Sequence, residues 1–376
     1  MTRTAKLLAK LIALPSVNPA FLPPRHPHAG EGRVAEFLAS VAARAGLDVE
    51  FRKAVPHRPN LLAGLGPVGK TRRTILLAPH LDTVNVANDK QLVPHHRGGR
   101  LYGRGACDTK GSVAAMLVAL CELARSKVRP RETEIVFAGL VDEENAQAGS
   151  RSLAASGFRA DLAIVGEPTR LQIVTAHKGS LFLSLETRGK AAHGATPQFG
   201  RNAIHRMARV VEVLETDYAA QLRQRRHPLL GCATVSVGTI SGGTQPNIVP
   251  DRCVLSADRR TLPGETETGV CREITALLHG RGLDAKVSNV RLAPCRPLET
   301  DARLPLVRQF LRSAGQSRPA GVHYYCDAAV LAGDGIPSVV FGPGDIAQAH
   351  TADEWISLAQ LERGKEMLLR FLKSLP

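Results

Sequence analysis

Five residues of this 376-residue chain have the types that hold divalent cations and fall where such residues can converge: His80, Asp108, Glu144, Glu167 and His350. Two imidazoles and three carboxylates suit borderline cations, Zn²⁺ first, with Co²⁺ or Mn²⁺ as alternatives. His80 and Asp82 directly follow an apolar run ending at Pro79. Asp142, Glu143 and Glu144 follow one ending at Val141, Glu167 follows one ending at Gly166, and His350 comes soon after one ending near Gly342. Each taken alone has an ordinary explanation as a loop residue or a cap, and adjacent acids such as Glu143 and Glu144 are also favoured at a helix N-terminus. Four segments delivering His, Glu, Glu and His to one edge are harder to explain that way. Open parallel sheets bind ligands beyond the carboxyl ends of their strands. Asp108 arrives on a glycine-rich turn, Gly103-Arg-Gly-Ala-Cys-Asp108-Thr-Lys-Gly111. A two-ion clamp spans roughly 3.5–4 Å and needs a shared carboxylate, which Asp108 can supply. Asp82, two residues past His80, can accept the second imidazole N–H and fix the ring tautomer; alternatively it is itself a ligand.

The elements that must position these residues are legible as apolar runs. Residues 73–79, 134–141, 161–166 and 337–342 read as buried strands, and 60–65 as a further strand. Residues 32–45, 112–126, 148–156 and 357–375 carry helical periodicity. Continuous apolar strands separated by helices imply a largely parallel sheet covered on both faces. The middle differs: residues 179–187, 234–240 and 252–258 alternate apolar with polar, and 202–222 and 269–281 are helical. Strand–helix–strand–strand–helix–strand is a split βαβ pattern. The chain is therefore expected to be α/β, a catalytic domain of residues 1–178 and 288–376 interrupted by an α+β domain at 179–287.

Composition narrows the classes. The longest apolar runs fall short of the roughly 18 residues a membrane helix needs. Residues 1–13 read as an amphipathic helix, because Lys6 and Lys10 interrupt the apolar stretch, and not as a signal peptide. Seven scattered cysteines without a CxxC pair argue against a disulfide framework and a cysteine zinc site, and fit the cytoplasm. Cys107, beside Asp108, reads as a packing residue. The net charge of +15 is large, but its basic runs lack interleaved aromatics, so a solvated face is expected and not a nucleic-acid partner.

The motifs as a set resemble the aminoacylase and carboxypeptidase family of co-catalytic zinc hydrolases, which includes the acetylornithine deacetylase and succinyl-diaminopimelate desuccinylase group. The residues carrying the resemblance are Ala78-Pro-His80-Leu-Asp82, the turn holding Asp108, Val141-Asp-Glu143-Glu144, Val165-Gly-Glu167-Pro-Thr169 and Gln348-Ala-His350-Thr. Lys190-Ala-Ala-His193-Gly, Gly242-Gly-Thr-Gln-Pro-Asn247-Ile-Val-Pro250, Asp258-Arg-Arg260-Thr-Leu-Pro-Gly264 and Phe341-Gly-Pro-Gly344 extend it across nearly the whole chain in the family's order. One departure is Thr109, where the family usually has Met.

The resemblance implies the roles. His80 and Glu167 would hold one ion, Glu144 and His350 the other, and Asp108 would bridge them, with a cis peptide after it. Glu143 would be the general base that takes a proton from the attacking water and passes it to the leaving amine. The inserted domain would form a homodimer contact, with His193 reaching the neighbouring subunit's site. Arg260 would bind the substrate carboxylate by its bidentate fork, while Arg259 points away. Asn247 would orient the substrate, and Gly342 and Gly344 would let backbone approach it. The implied activity is removal of an acyl group from an N-acyl amino acid, most like acetylornithine deacetylase. A desuccinylase, or a carboxypeptidase or dipeptidase acting on short peptides, are the alternatives. His323, Tyr324, Tyr325 and Asp327 are candidates for the acyl pocket, with packing or loop roles equally open.

Overall fold

The computed structural model describes residues 1–291 and 293–376. The chain divides into two compact units, one of Met1–Thr175, Thr300–Ala320 and Cys326–Pro376, the other of Ala176–Glu299 and Gly321–Tyr325. The second unit is thus wider than the expected 179–287. It takes in the short strand Leu298–Glu299, which pairs with Ala176 and His177, and a loop from late in the chain.

In chain order the first unit opens with α1 (Arg3–Ile12), α2 (Gly32–Ala43), β1 (Asp48–Val55), β2 (Arg58–Leu65), β3 (Arg73–Pro79), α3 (Lys110–Ala124), β4 (Thr133–Gly139), α4 (Ala148–Ala155) and β5 (Leu162–Gly166). The second unit contributes β6 (Gly179–Arg188), α5 (Ala203–Val213), β7 (Thr234–Gly242), β8 (Arg252–Thr261), α6 (Glu267–Gly280) and β9 (Lys286–Asn289). The chain then returns to the first unit for β10 (Ser338–Val340) and the closing α7 (Leu358–Lys373).

The first unit's sheet runs β1-β2-β4-β3-β5-β10. Its centre is parallel, β3 pairing with β4 and β5 and β5 with β10, while β1 and β2 add an antiparallel edge. That edge was not foreseen at β1, whose sequence Asp-Val-Glu-Phe-Arg-Lys-Ala-Val is too charged to read as a buried strand. α3 is buried almost all round, which matches its lack of a polar stripe. It packs against the sheet and against α1 and α7. With aromatics at 4% of the chain, the core is mostly Leu, Val, Ile and Ala. Of its fully buried phenylalanines, Phe137 lies on β4 and the others form a trio: the Phe310 ring lies 5.1 Å from Phe341 and 4.7 Å from Phe371. Each such ring contributes about 1.5–3 kcal/mol by its burial.

Strand register positions the site. Pro79 at the end of β3 pairs with Gly166 at the end of β5, so His80 and Glu167 leave the sheet side by side. His80 also bridges to Leu140, two residues before Asp142.

The second unit is a four-stranded antiparallel sheet, β7-β8-β6-β9, with α5 and α6 packed on one face. Leu181, Leu183 and Leu185 of β6 and Cys253, Leu255 and Ala257 of β8 point into that core. The helix expected over 202–222 is present as one continuous run: α5 widens into a π-helical turn at Leu214–Tyr218 and goes on as Ala219–Gln224. Tyr218 in that turn accepts a hydrogen bond from the buried Arg259, so a tertiary contact accompanies the widening. Among the described residues no helix is long and apolar enough to cross a membrane.

Candidate metal centre

Two triads of metal-capable side chains meet in the first unit. In each, the candidate ligand atoms lie within 4.8 Å of one another: His80, Asp108 and Glu167 in one, Asp108, Glu144 and His350 in the other. Asp108 belongs to both, and its two oxygens diverge. Oδ1 lies 3.2 Å from His80 Nε2, and Oδ2 lies 3.3 Å from His350 Nε2. His80 Nε2 is also 3.8 Å from Glu167 Oε1, and His350 Nε2 is 3.2 Å from Glu144 Oε2. All five residues singled out from sequence are therefore brought together. The Asp108–Thr109 peptide is cis.

Asp82 belongs to neither triad. It faces the other imidazole nitrogen, His80 Nδ1, with Oδ1 at 3.3 Å and its own carbonyl at 3.1 Å. Its carboxylate also accepts the backbone N–H of Glu143 and of Glu144, each at 3.1 Å. One buried side chain thus turns the imidazole so that Nε2 meets the carboxylates, and pins the turn carrying Glu143 and Glu144. Of the two possibilities left open for Asp82, this geometry favours orientation over ligation.

The turn after β4 is held from behind by residues that motif reading missed. Asn18 Nδ2 donates to Asp82 Oδ2 at 2.7 Å and to Asp142 Oδ1 at 3.0 Å. Arg58 donates to Glu31 and, at 3.1 Å, to Asp142, while Glu31 accepts the Asp142 N–H. Asp142 sits at φ 68°, a left-handed conformation that Asp tolerates better than most residues. Glu31 and Arg58 lie in α2's cap and at the start of β2, remote in sequence from the motifs. No local spacing rule links them to residue 142.

Electrostatics show what the donor set lacks. Burial pushes the Glu167 carboxyl well above its usual range, and repulsion from Asp108, Glu144 and Asp327 adds to it against the pull of His80. Glu143 is raised likewise, first by burial and then by Glu167 and Asp327. Burial would lower His80, yet Asp108, Asp82 and Glu167 outweigh it and raise the ring well above its usual range. His350, facing Asp108 and Glu144, is raised to about 10. Carboxylates drawn toward protonation beside imidazoles drawn toward cations mark a pocket short of positive charge. Two divalent ions fit that deficit, and the oxygen and imidazole donors fit their chemistry.

The remaining candidates fall in several places. Arg260, Asn247 and His193 belong to the second unit. Arg260 Nε donates to Asp258 Oδ2 at 2.9 Å. Arg259 is fully buried, bonded to Tyr218 and Glu265, so it faces away from Arg260 as strand alternation requires. His193 is exposed, and Asn247 accepts the Gly194 N–H at 2.8 Å. Gly342 and Gly344 have packing reasons of their own: a Cβ at Gly342 would overlap Ser112 Oγ and the Glu167 carbonyl, and one at Gly344, φ 99°, would come 2.6 Å from Cys107 Sγ. Burial, with Glu354 and Asp108 nearby, drives the Cys107 thiol far up, as suits a packing residue. Asp327 is buried and bonded to Ser150, with its carboxyl raised to about 6 mainly by burial. His323, Tyr324 and Tyr325 lie in the second unit, where Tyr325 bonds Arg291.

Comparison with known proteins agrees with this geometry. Residues 76–374 match the model of Peptidase family M20/M25/M40. An acetylornithine deacetylase of Myxococcus xanthus is 33% identical, over 87% of each chain. An acetylornithine deacetylase of Yersinia pseudotuberculosis is 32% identical, over 96% of this chain and 95% of that one. A tripeptidase of Staphylococcus aureus shares the fold, with a TM-score of 0.78 over 99% of this chain and 97% of that one at 22% identity. With the family's model matched over most of its length and both triads assembled, the chain belongs to Peptidase family M20/M25/M40 and is a metal-dependent hydrolase.

Proposed function

We infer that the chain removes the acyl group from an N-acyl amino acid, with N-acetylornithine as the leading substrate. The observation that carries the reaction class is the pair of triads sharing Asp108, with Glu143 next to one of its ligands. The substrate rests on the acetylornithine deacetylases that resemble this chain over most of its length. In this reading His80 and Glu167 hold one ion and Glu144 and His350 the other. Bound there, two divalent cations, zinc by preference of the donor set, supply the charge that polarises the scissile carbonyl and acidifies the attacking water.

The protein's own groups do the rest. Glu143, its carboxylate made basic by burial, takes the proton of the attacking water and delivers it to the departing amine. Asp82 keeps His80 in the tautomer that presents Nε2. Arg260 takes the substrate's α-carboxylate, Asn247 orients the substrate, and His193 serves the site of a second copy in a homodimer formed through the second unit. Seven free thiols accord with a cytoplasmic setting.

The test is a panel of N-acetylornithine, N-succinyl-diaminopimelate and short peptides, assayed with Zn²⁺ or Co²⁺. N-acetylornithine is expected to give the highest kcat/KM. A preference for the succinyl substrate or for peptides would move the assignment within the family. No amide turnover at all would sink it. Glu143→Gln should lose about 10²–10⁴-fold in kcat while still taking up its metal; full activity in that variant would remove Glu143 from the mechanism.

A further inference from the structure

Glu354 lies four residues beyond His350 and is 2% exposed. It belongs to neither triad, yet its carboxylate is saturated with donors from the turn that carries Asp108. Oε1 accepts the backbone N–H of Cys107 at 2.8 Å and of Asp108 at 2.9 Å. Oε2 accepts the N–H of Gly105 at 2.9 Å and Arg104 Nη1 at 2.8 Å. The Glu354 carbonyl accepts a fifth donor, the Gly103 N–H, at 3.0 Å.

The turn needs such an acceptor. Gly103 and Gly105 have φ of 144° and 81°, so this stretch has much backbone freedom to lose and no helix or strand ladder to satisfy its amides. Successive amides converging on one anion form the kind of concavity that binds a carboxylate or a phosphate; here the chain supplies the anion itself. The Asp108 side chain extends from the last of these amides, and both triads depend on it. The segment that delivers Glu354 also delivers His350. Movement of the turn against that segment would pull the shared oxygens away from both histidines at once.

We propose that Glu354 is a positioning residue for the metal centre: by gathering the amides of Gly105, Cys107 and Asp108 it fixes the shared carboxylate, and it ties that carboxylate to the segment bearing His350, so that both cation subsites depend on it. The proposal rests on the reading of the two triads as cation sites. A glutamate that only glued the fold would affect unfolding and leave the affinities of the folded protein alone.

Titration of the metal-free full chain with Co²⁺, followed by calorimetry and by the visible absorption of the bound ion, separates these cases. Wild type is expected to take up two ions. His350→Ala should lose one subsite and keep the other. Glu354→Gln keeps the shape but turns an NH₂ donor toward amide donors, and it should weaken both subsites by roughly 10–100-fold and alter the absorption bands at saturation. Circular dichroism checks that the variant is folded. Should it fail to fold, Glu354→Asp, which keeps the charge and retracts it by one methylene, is expected to show the same double weakening to a smaller degree. Two ions bound with wild-type affinity and spectrum in the folded variant would overturn the proposal, whatever happens to Tm, and so would a loss confined to one subsite. Failure of wild type to take up two ions would instead remove the cation-site reading, and this proposal with it.

Discussion

Asp82 illustrates how much a single buried carboxylate can organise. Replacing it with Ala leaves the N–H groups of Glu143 and Glu144 without that acceptor, leaves the Asn18 amide only Asp142, and leaves His80 Nδ1 only the backbone carbonyl of residue 82. Asp82→Ala should weaken metal uptake by roughly 10–100-fold, read by calorimetric titration. Its sequence position, two residues after a histidine, made it visible; its grip on the next strand's turn was not, because that contact spans some sixty residues. His177 is the residue that should set the acid limit. It is fully buried, Nδ1 lies 2.9 Å from the Lys178 carbonyl, and among the described residues no hydrogen-bond partner faces Nε2. Burial lowers its pKa to about 4. The unfolded chain, at the usual value near 6.5, therefore binds more protons than the folded one between pH 6.5 and 4. The neutral ring's contribution is fully present above 6.5 and lost as pH falls through that window, on the order of 3 kcal/mol in all. Urea unfolding of His177→Leu should be flatter than wild type over that range; equal slopes would discharge His177 from this role.

At the scale of elements, β8 and the turn before α6 are joined by a buried ion pair. Arg259, fully buried, bonds Glu265, and its Nε donates to Tyr218 at 3.0 Å. Arg259→Met should destabilise the full chain by about 3 kcal/mol in urea, because Glu265 is left with weaker partners. An unchanged midpoint would contradict that. The same pair explains a limit of sequence reading. The alternation that places Arg260 and Arg259 on opposite faces was legible, while the widened turn at Leu214–Tyr218, where Tyr218 meets Arg259, was not. Central strands declared themselves because both of their faces are buried and their residues run apolar without interruption. β1 is an edge with exposed charges and gave no such signal. The ligands were legible because strand ends in a parallel sheet point one way. Glu31, Arg58 and Asn18 were not, since their roles exist only once distant segments are folded together.

At the scale of the whole molecule, the first unit folds around concentrated negative charge. Without metal, Glu143, Glu144 and Glu167 are raised and so are His80 and His350. All five then bind protons more tightly folded than unfolded, so stability is present at low pH and is lost as pH rises. The His350 ring, raised from 6.5 to about 10, carries this loss through that window, above the range where His177 opposes it. Buried Lys110, lowered to about 7, acts in the opposite sense between pH 7 and 10.5, so the His350 contribution is read by difference: chelator-treated wild type should lose Tm relative to His350→Ala as pH goes from 6.5 toward 10, and saturating Zn²⁺ should raise the wild-type Tm most at the alkaline end. A metal-free difference in Tm that stays flat or rises over that range would contradict the reading. Finally, the two triads are unequally sheltered: the His350 side chain is 54% exposed, while that of His80 is 2% exposed. Water reaches one imidazole and not the other. An ion departing past His350 can trade each protein bond for a solvent one as it goes, whereas its neighbour must break free in the dry. The outer ion is therefore expected to exchange first on dilution into chelator, leaving a half-loaded population that retains the inner one.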